Sequence, residues 1–364
     1  MPKISHDTLW DLAASEVHSR ESGAGEEGDD AGNPVGFGER TVFFIGSKAG
    51  GKTTILLRCL DRDEPPKPTL ALEYTFGRRA RGHNTPKDIA HFWELGGGTS
   101  LSDLIQIPIT AQNVRALSVV LLTDLSKPNV LWGTTERLLQ AARAQVDRAC
   151  SDQSAGESRP GKQPTPNRTP RTLAKDHPDR ELINPFPVSL LIIGSKYDIF
   201  QDFDSEKRKA ICKTLRFLAH YHGASLIFSS SKSEGLMSKT RGFVTHLAFG
   251  TERGKTVSTD PNKPLIIPAG MDSLSQIGTP PATDFDIGTL HARNPLDLWK
   301  KVFEKIFPSE SASDPKDLKD PAKDPQYSEA QVDSMRTQKD QELEQYKRNA
   351  SKSWKGMELE FQKS

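Results

Sequence analysis

Unbroken apolar runs alternate with amphipathic segments through most of this chain. The runs at 117–123 and 189–194 are almost entirely aliphatic, which is typical of parallel strands whose two faces are both covered by helices. The pattern predicts strands over 41–46, 69–77, 88–95, 117–123, 189–194 and 225–229, and helices over 52–60, 134–149, 205–222 and 296–307. We therefore expect an α/β fold built on a mostly parallel, doubly wound sheet.

Other patterns flank and interrupt this alternating region. Leu9, Leu12 and Val17 share one side of a short predicted helix over 5–19, and Ser328 with Gln331 forms a capping-box pair that opens a second helix in the charged tail. The predicted organisation is an N-terminal docking helix (1–20), a flexible linker (21–39), a main domain (40–307) with a disordered insertion (151–182), and a helical and irregular C-terminal extension (308–364) with a helix over about 328–348.

Composition and charge exclude several classes of function. The 49 Lys and Arg residues balance 48 Asp and Glu residues, so no overall field favours DNA or RNA, and we expect no nucleic-acid partner. Cys59, Cys150 and Cys212 lack the spacing of a zinc site or a disulfide framework. No apolar run approaches the ~20 residues that span a bilayer. Pro2 excludes N-myristoylation and the chain ends without a prenylatable cysteine, so we expect no direct lipid anchor.

A glycine-rich turn between the first strand and the first helix carries the clearest chemistry. Residues 46–53, GSKAGGKT, match the P-loop pattern G-x-x-x-x-G-K-[ST] in the required context of a preceding strand and a following helix. Backbone N–H groups of such a turn surround phosphates, Lys52 can reach the β- and γ-phosphate oxygens, and Thr53 can offer its hydroxyl to Mg²⁺. The sequence therefore predicts a P-loop NTPase fold.

The remaining motifs follow in the order that a guanine-nucleotide domain needs. Thr69 can contact Mg²⁺, although it can also be an ordinary strand threonine; Glu94 to Gly97 stand at the place of D-x-x-G. Asp198 can accept two hydrogen bonds from guanine, although it can also cap the following helix. The predicted nucleotide site comprises Gly46, Ser47, Lys48, Ala49, Gly50, Gly51, Lys52, Thr53, Thr54, Thr69, Gly97, Lys196, Asp198, Ser231 and Lys232. The predicted Mg²⁺ ligands are Thr53, Thr69 and Glu94, and the predicted cofactors are GTP or GDP with Mg²⁺.

Several departures from a hydrolytic site stand beside these matches. Gly98 occupies the position at which a glutamine usually orients the attacking water, and Lys48 replaces a small glycine near the γ-phosphate. Glu94 replaces the usual aspartate, and Ser195 replaces an asparagine that ties the base loop to the P-loop. We expect nucleotide binding to persist while rapid hydrolysis is lost.

The chain resembles the light intermediate chains of cytoplasmic dynein, most closely those of dynein 2. The resemblance rests on KPTLALEYTFGRR (67–79), HFWELGGG (91–98), NKPLIIPAGMDSLSQIGTPP (262–281) and DPAKDPQYSEAQVDSMRTQKDQELEQYKR (320–348). The last two blocks have no counterpart in ordinary small guanine-nucleotide switches. The resemblance implies a Ras-like G domain that serves as a non-catalytic subunit, binding and stabilising the dynein 2 heavy chain.

The resemblance also implies partners and a location. The other dynein 2 intermediate and light chains and the intraflagellar transport trains are the implied partners, in retrograde transport and cilium assembly. The implied location is the cytoplasm, the cytoskeleton and the cilium, including its axoneme and basal body. The alternative is an active regulatory GTPase of the Rab or Arf type. Gly98 and the long helical tail favour the subunit over this alternative.

Overall fold

The computed structural model describes residues 39–80, 87–157, 177–252, 254, 256–281, 292–309 and 329–361. It divides into a unit that ends at Ser309 and a second unit that begins at Glu310, and each is treated by itself. The predicted N-terminal helix (5–19), nearly all of the linker (21–39) and the central part of the insertion (151–182) lie outside the described residues, so those predictions stay predictions.

A seven-stranded sheet forms the centre of the first unit within the described residues. Its strand order is β2-β3-β1-β4-β5-β6-β7, in which β2 and β7 run antiparallel to their neighbours and the other strands are parallel. The strands are β1 (Arg40–Gly46), β2 (Leu72–Arg79), β3 (Asp88–Leu95), β4 (Leu117–Asp124), β5 (Ser189–Ser195), β6 (Ser225–Phe228) and β7 (Ile266–Ile267). This confirms the predicted α/β class and the mostly parallel sheet.

Helices cover both faces of the sheet. They are α1 (Lys52–Cys59), α2 (Pro128–Glu157), α3 (Tyr197–Phe200), α4 (Ser205–Tyr221), α5 (Glu234–Phe249), α6 (Leu274–Ile277) and α7 (Pro295–Ile306), with 3₁₀ helices at Gly98–Gln106 and Val114–Ala116. Phe43 of β1 packs in the core layer beneath α2, α4 and α7, whereas Phe44 packs in the layer beneath α1 and α5. This two-sided burial explains why the central strands are apolar at nearly every position.

Some element boundaries differ from the sequence prediction. Helix α5 was missed, although Ser233 caps its start by accepting a hydrogen bond from the Leu236 amide and Gly250 ends it in a left-handed conformation. Helix α2 continues to Glu157 and Asp179 is buried, so the predicted insertion limits of 151–182 are too wide at both ends. Strand β2 begins at Leu72 and not at residue 69.

Helix α7, which the sequence predicted over 296–307, packs on the core with its apolar side chains. Trp299, Val302 and Phe303 of α7 are buried, and the ring of Trp299 stacks on Phe217 of α4 with centroids 4.4 Å apart. Trp132 of α2 is also buried, and its ring centroid lies 6.0 Å from that of Phe303. Trp132 is therefore a core residue.

A buried polar cluster fixes the segment that follows β7. Arg216 of α4 makes two hydrogen bonds to Asp272, with donor–acceptor distances of 2.7 and 2.9 Å. Asp179 accepts a hydrogen bond from the Leu274 amide and another from the ring of His220, each at 2.8 Å. These bonds tie the segment 268–277 to α4.

The second unit contains helix α8 (Ala330–Phe361), which is longer than the predicted 328–348. Large apolar side chains of this helix are exposed within this unit: Val332, Met335, Leu343 and Tyr346. Among the helices of the described part of the chain, none has the length and apolar character needed to cross a membrane.

The buried pair of Arg216 and Asp272 yields a stability prediction. Asp272→Ala should lower the free energy of unfolding by roughly 3–5 kcal/mol, because it removes a buried carboxylate and leaves the Arg216 guanidinium, whose side chain is only 11% exposed, without its partner. Glu206→Ala is the matched control, since it removes an exposed carboxylate paired with Lys209 on the same helix and should cost less than about 1 kcal/mol. Urea unfolding measures both. An equal loss in the two variants would contradict the role given to Asp272.

Candidate functional site

The turn after β1 has the backbone geometry of a phosphate-binding loop. Gly46 has φ of 149°, and a Cβ added to it would lie 2.2 Å from the carbonyl oxygen of Leu122, so only glycine fits where β1 passes β4. Helix α1 then starts directly at Lys52, and no side chain caps its first turn. The N–H groups at this helix start are therefore available to an anion, as they are at phosphate-binding helix N-termini.

Lys52 is held inside this turn. Its Nζ atom donates to the carbonyl oxygen of Ser47 at 3.0 Å and to that of Gly46 at 3.5 Å, and the residue is buried. Burial lowers the pKa of Lys52, while the facing Glu94 carboxylate opposes this shift. A cation held at the mouth of an uncapped helix is suited to binding phosphate oxygens.

The three predicted Mg²⁺ ligands meet beside Lys52. The Thr53 hydroxyl donates to Oε1 of Glu94 at 2.8 Å, and the hydroxyl oxygens of Thr53 and Thr69 lie 3.5 Å apart. Thr69 precedes β2, so the alternative that it is an ordinary strand threonine is wrong. Its hydroxyl also donates to Glu73 at 2.9 Å. The structure therefore brings the three residues together from α1, β3 and the segment before β2. Their role as Mg²⁺ ligands stays a prediction.

Glu94 has an unsatisfied oxygen at this meeting point. The residue is 2% exposed, and its Oε2 atom is buried without a hydrogen-bond partner. Burial raises the pKa of Glu94, against the hydrogen bond from Thr53 and the positive charge of Lys52. A buried carboxylate oxygen beside two hydroxyls fits a hard divalent cation such as Mg²⁺. In the described part of the chain, no group of three or more His, Cys, Asp or Glu side chains is arranged to hold a metal.

Three consecutive glycines bring the segment after β3 against its neighbours. The Gly96 amide donates to the carbonyl oxygen of Ala71 at 2.6 Å, and a Cβ at Gly96 would lie 2.3 Å from the carbonyl oxygen of Thr69. Gly98 lies close to the P-loop, since a Cβ added to it would lie 3.1 Å from the backbone nitrogen of Lys48. The chain therefore presents backbone where hydrolytic relatives of this fold present a glutamine side chain.

Lys48, unlike Gly98, does not support the expected loss of hydrolysis. Lys48 is exposed. An exposed side chain does not support a role for Lys48 in blocking hydrolysis by crowding the γ-phosphate region.

The base side of the site lies at the carboxyl ends of β4, β5 and β6. Lys196 has a left-handed backbone with φ of 60°, and its Nζ atom lies 2.5 Å from Oδ2 of the buried Asp124. Asp124 also accepts hydrogen bonds from the amide and the hydroxyl of Ser126, at 3.0 and 2.6 Å. Sequence reasoning missed Asp124 and Ser126, although Asp124 is the charged last residue of the mostly apolar strand β4, a position that often carries site residues in this kind of fold.

Asp198 lies at the centre of a second polar group. It accepts a hydrogen bond from the Ser230 hydroxyl at 2.7 Å and pairs with Nζ of Lys232 at 2.8 Å. The hydrogen bond from Lys232 is the main cause that lowers the pKa of Asp198. Lys196 occupies the N-cap position of α3, so the alternative that Asp198 caps this helix is wrong. A base that binds Asp198 would have to displace Lys232 from the carboxylate.

Two serines on this side differ in their contacts. Ser231 is exposed, and its neighbour Ser230 is the serine that contacts Asp198. The predicted role of Ser231 in nucleotide binding stays a prediction. Ser195 donates to the carbonyl oxygen of Thr123 at 3.2 Å, so it joins β5 to β4 and makes no bond to the P-loop in its described contacts.

The remaining predicted residues also lie at the carboxyl ends of the strands. Thr54 follows Thr53 in the first turn of α1 and is partly buried, while Ala49 and Gly51 have left-handed backbones in the loop itself. Gly97 is likewise left-handed, with φ of 68°, directly after β3. All these residues stand at the carboxyl ends of parallel strands, where ligands of doubly wound folds bind.

Comparison with known proteins places this site in a family context. The family model "Dynein light intermediate chain (DLIC)" matches residues 7–154. The "Cytoplasmic dynein 2 light intermediate chain 1" of Danio rerio is 71% identical over 361 residues, covering 99% of this chain and 100% of the relative. The Homo sapiens protein of the same name is 62% identical over 354 residues, covering 97% of this chain and 99% of the relative.

A solved structure offers a more distant comparison. The "Crystal Structure of the Dynein Light Intermediate Chain's Conserved Domain" aligns with 76% of this chain and 99% of its own, at 14% identity and a TM-score of 0.49. That match is too distant to support a comparison of residues. The two full-length matches confirm the resemblance found in the sequence. The chain therefore belongs to the dynein light intermediate chain family, as a full-length relative of its cytoplasmic dynein 2 members.

Proposed function

We propose that this chain is a non-catalytic light intermediate chain of the cytoplasmic dynein 2 motor, which binds and stabilises the dynein heavy chain. The observation that carries the proposal is identity of 61–71% along nearly the whole of both chains to proteins of that name in five vertebrates. The similarity includes the tail and the segment 262–281, beyond the P-loop region. A conserved nucleotide fold alone would not require likeness in those parts.

The wider role follows from the same relationship. In this proposal the chain works with the other dynein 2 intermediate and light chains on intraflagellar transport trains, in retrograde transport and cilium assembly. It is then found in the cytoplasm, on the cytoskeleton and in the cilium, at the axoneme and basal body. Microtubule motor activity belongs to the heavy chain.

The nucleotide site has a structural role in this proposal. GTP or GDP would lie on the backbone of residues 46–53 with Lys52 at its phosphates, and Mg²⁺ would be held by Thr53, Thr69 and Glu94. A bound Mg²⁺ would give the buried Oε2 atom of Glu94 the positively charged partner that it lacks. Lys196 and Asp198 would hold the base. Bound nucleotide then stabilises the fold by mass action, because it binds only the folded chain.

An active GTPase of the Rab or Arf type is the second candidate. The complete P-loop with Lys52 and Thr53 favours it. Gly98 opposes it, because glycine offers no side chain to orient an attacking water, and its backbone is packed against the P-loop. The subunit accounts for the full-length similarity as well, and it is the better supported of the two.

Co-purification with the heavy chain tests the proposed function. The full-length chain, co-expressed with the tail of a dynein 2 heavy chain, should purify with it in a stable complex. Lys52→Ala should lose bound guanine nucleotide, because it removes the phosphate-facing cation, yet retain heavy-chain binding within about twofold. Lys239→Ala, an exposed lysine on α5, is the control for both readouts. Nucleotide content is measured by chromatography of the denatured complex.

Two results would overturn parts of this proposal. If the wild-type chain and the heavy-chain tail purify separately, the subunit role is wrong. If Lys52→Ala keeps its thermal unfolding temperature but loses the heavy chain, assembly depends on nucleotide and the regulatory GTPase becomes the better account.

Base selection provides an independent prediction about Asp198. Asp198→Asn should weaken GDP binding by roughly 10- to 100-fold, because hydrogen bonds to a charged acceptor are worth about 1.5–3 kcal/mol. The same variant should gain affinity for xanthosine diphosphate, whose 2-carbonyl can accept from the new amide. Fluorescence titration measures both constants, and Asp202→Asn is the exposed control. Equal GDP affinity in Asp198→Asn and wild type would remove Asp198 from the site.

A further inference from the structure

The two edges of the sheet are built differently. Strand β7 has two residues, both buried, and it is flanked by Pro264 and Pro268. Its outer side is covered by an antiparallel bridge between Ser258 and Ile266. Strand β2 has eight residues, and within the described part of the chain no strand pairs with its outer side. Proteins usually shield such edges with prolines, bulges or covering loops, as β7 is shielded here.

The register of β2 identifies which of its backbone groups face outward. Gly96 donates to the carbonyl of Ala71, so this opposed pair is hydrogen-bonded across the β2–β3 ladder. Hydrogen-bonded and non-hydrogen-bonded pairs alternate in antiparallel strands. Glu73, Thr75 and Gly77 therefore direct their N–H and C=O groups toward β3. Tyr74, Phe76 and Arg78 direct theirs toward the open edge.

The same three residues form an ordered surface on one face of β2. Tyr74 and Phe76 are each 45% exposed. The Tyr74 hydroxyl lies 2.8 Å from Nδ1 of His91, and its ring lies 5.0 Å from that of Trp93. The guanidinium of Arg78 lies over the Phe76 ring at 5.6 Å. These contacts hold the side chains in place before any partner arrives, which lowers the entropic cost of binding.

Charge along this edge is asymmetric. Arg78 and Arg79 end β2, and Lys87 stands just before the start of β3; all three are exposed. Glu73 lies at the opposite end of β2. An added strand would therefore meet positive charge at one end and aromatic rings in the middle, so acidic residues at its matching end would be favoured.

We propose that the open edge of β2, with Tyr74, Phe76 and Arg78, binds an extended acidic segment of another protein as an additional β-strand. Backbone hydrogen bonds to the outward groups would supply affinity, and the rings and arginines would select alternate side chains of the segment. The surface lies on the sheet edge and uses none of the predicted nucleotide-binding residues. The proposal stands apart from the proposed subunit function and from nucleotide binding.

Amide exchange with a defined peptide tests this docking surface. The probe is a synthetic peptide in which valine and threonine alternate and glutamates occupy one end, added to the full-length chain. The amides of Tyr74, Phe76 and Arg78 should become protected by about tenfold or more, while those of Glu73, Thr75 and Gly77 are already protected by β3. A matched peptide with lysines in place of the glutamates should bind about tenfold more weakly.

Variants separate the backbone contribution from the ring and the charges. Phe76→Pro removes an outward N–H without touching the β3 ladder, so it should keep the fold and abolish peptide binding. Phe76→Thr keeps that N–H and should weaken binding by only about fivefold. The double variant Arg78→Glu with Arg79→Glu should reverse the preference between the two peptides, which keeps the proposal testable if the proline variant fails to fold.

Three outcomes would overturn the proposal. One is the absence of detectable binding of the acidic peptide at concentrations up to about 1 mM. Another is binding that Phe76→Pro leaves unchanged in a folded chain. The third is protection of the outward amides in the free chain that rises with its own concentration, which would assign the edge to a second copy of this chain.

Discussion

Two-sided burial of the central strands determines where everything else in the first unit can lie. Every residue of β4 is buried, and β1 is buried from Thr41 to Gly46. Helices must therefore cover both faces, and the connections must pass over the ends of the strands. Polar residues such as Lys52, Glu94, Asp124 and Asp198 therefore lie together at the carboxyl ends of the strands, because the buried apolar segments end there.

At these strand ends, glycine backbone packs closely where a hydrolytic site would carry a catalytic side chain. Gly96 lies against Thr69 and Ala71, and Gly98 lies against Lys48. The P-loop keeps the buried Lys52 and the three residues suited to Mg²⁺, whereas Gly98 beside it carries no side chain. A site of this kind is suited to holding a ligand and poorly suited to activating water. This division of properties agrees with the proposed role as a motor subunit.

The sequence predicted well wherever one local pattern determined the outcome. The aliphatic runs identified β4 and β5, and GSKAGGKT identified the turn between β1 and α1, because few backbones accept that spacing of glycines. Helix α5 was missed because Gly235 and Gly242 weaken its helical pattern, while Ser233 and Gly250 at its ends went unused as signals. Strand β7 has only two residues, too few for any period.

Contacts between distant segments could not be predicted. Nothing local in the sequence pairs Arg216 with Asp272 or Lys196 with Asp124, since these pairs depend on how α4 and β4 pack. Ser230 and Ser231 are chemically identical neighbours, and only the direction of the chain after β6 decides which one meets Asp198. The open edge of β2 likewise follows from the order of the strands in the sheet, and the hydrophobic periodicity of the sequence carries no information about that order.

The central claim is that this nucleotide fold serves assembly and not turnover. Single-turnover GTP hydrolysis by the purified chain, with and without extract from ciliated cells, tests it most directly. The account predicts a rate no higher than the ~10⁻⁴ s⁻¹ of unassisted small GTPases, with no stimulation by extract. Stimulation by a factor of about 10³ or more, abolished by Lys52→Ala, would contradict it.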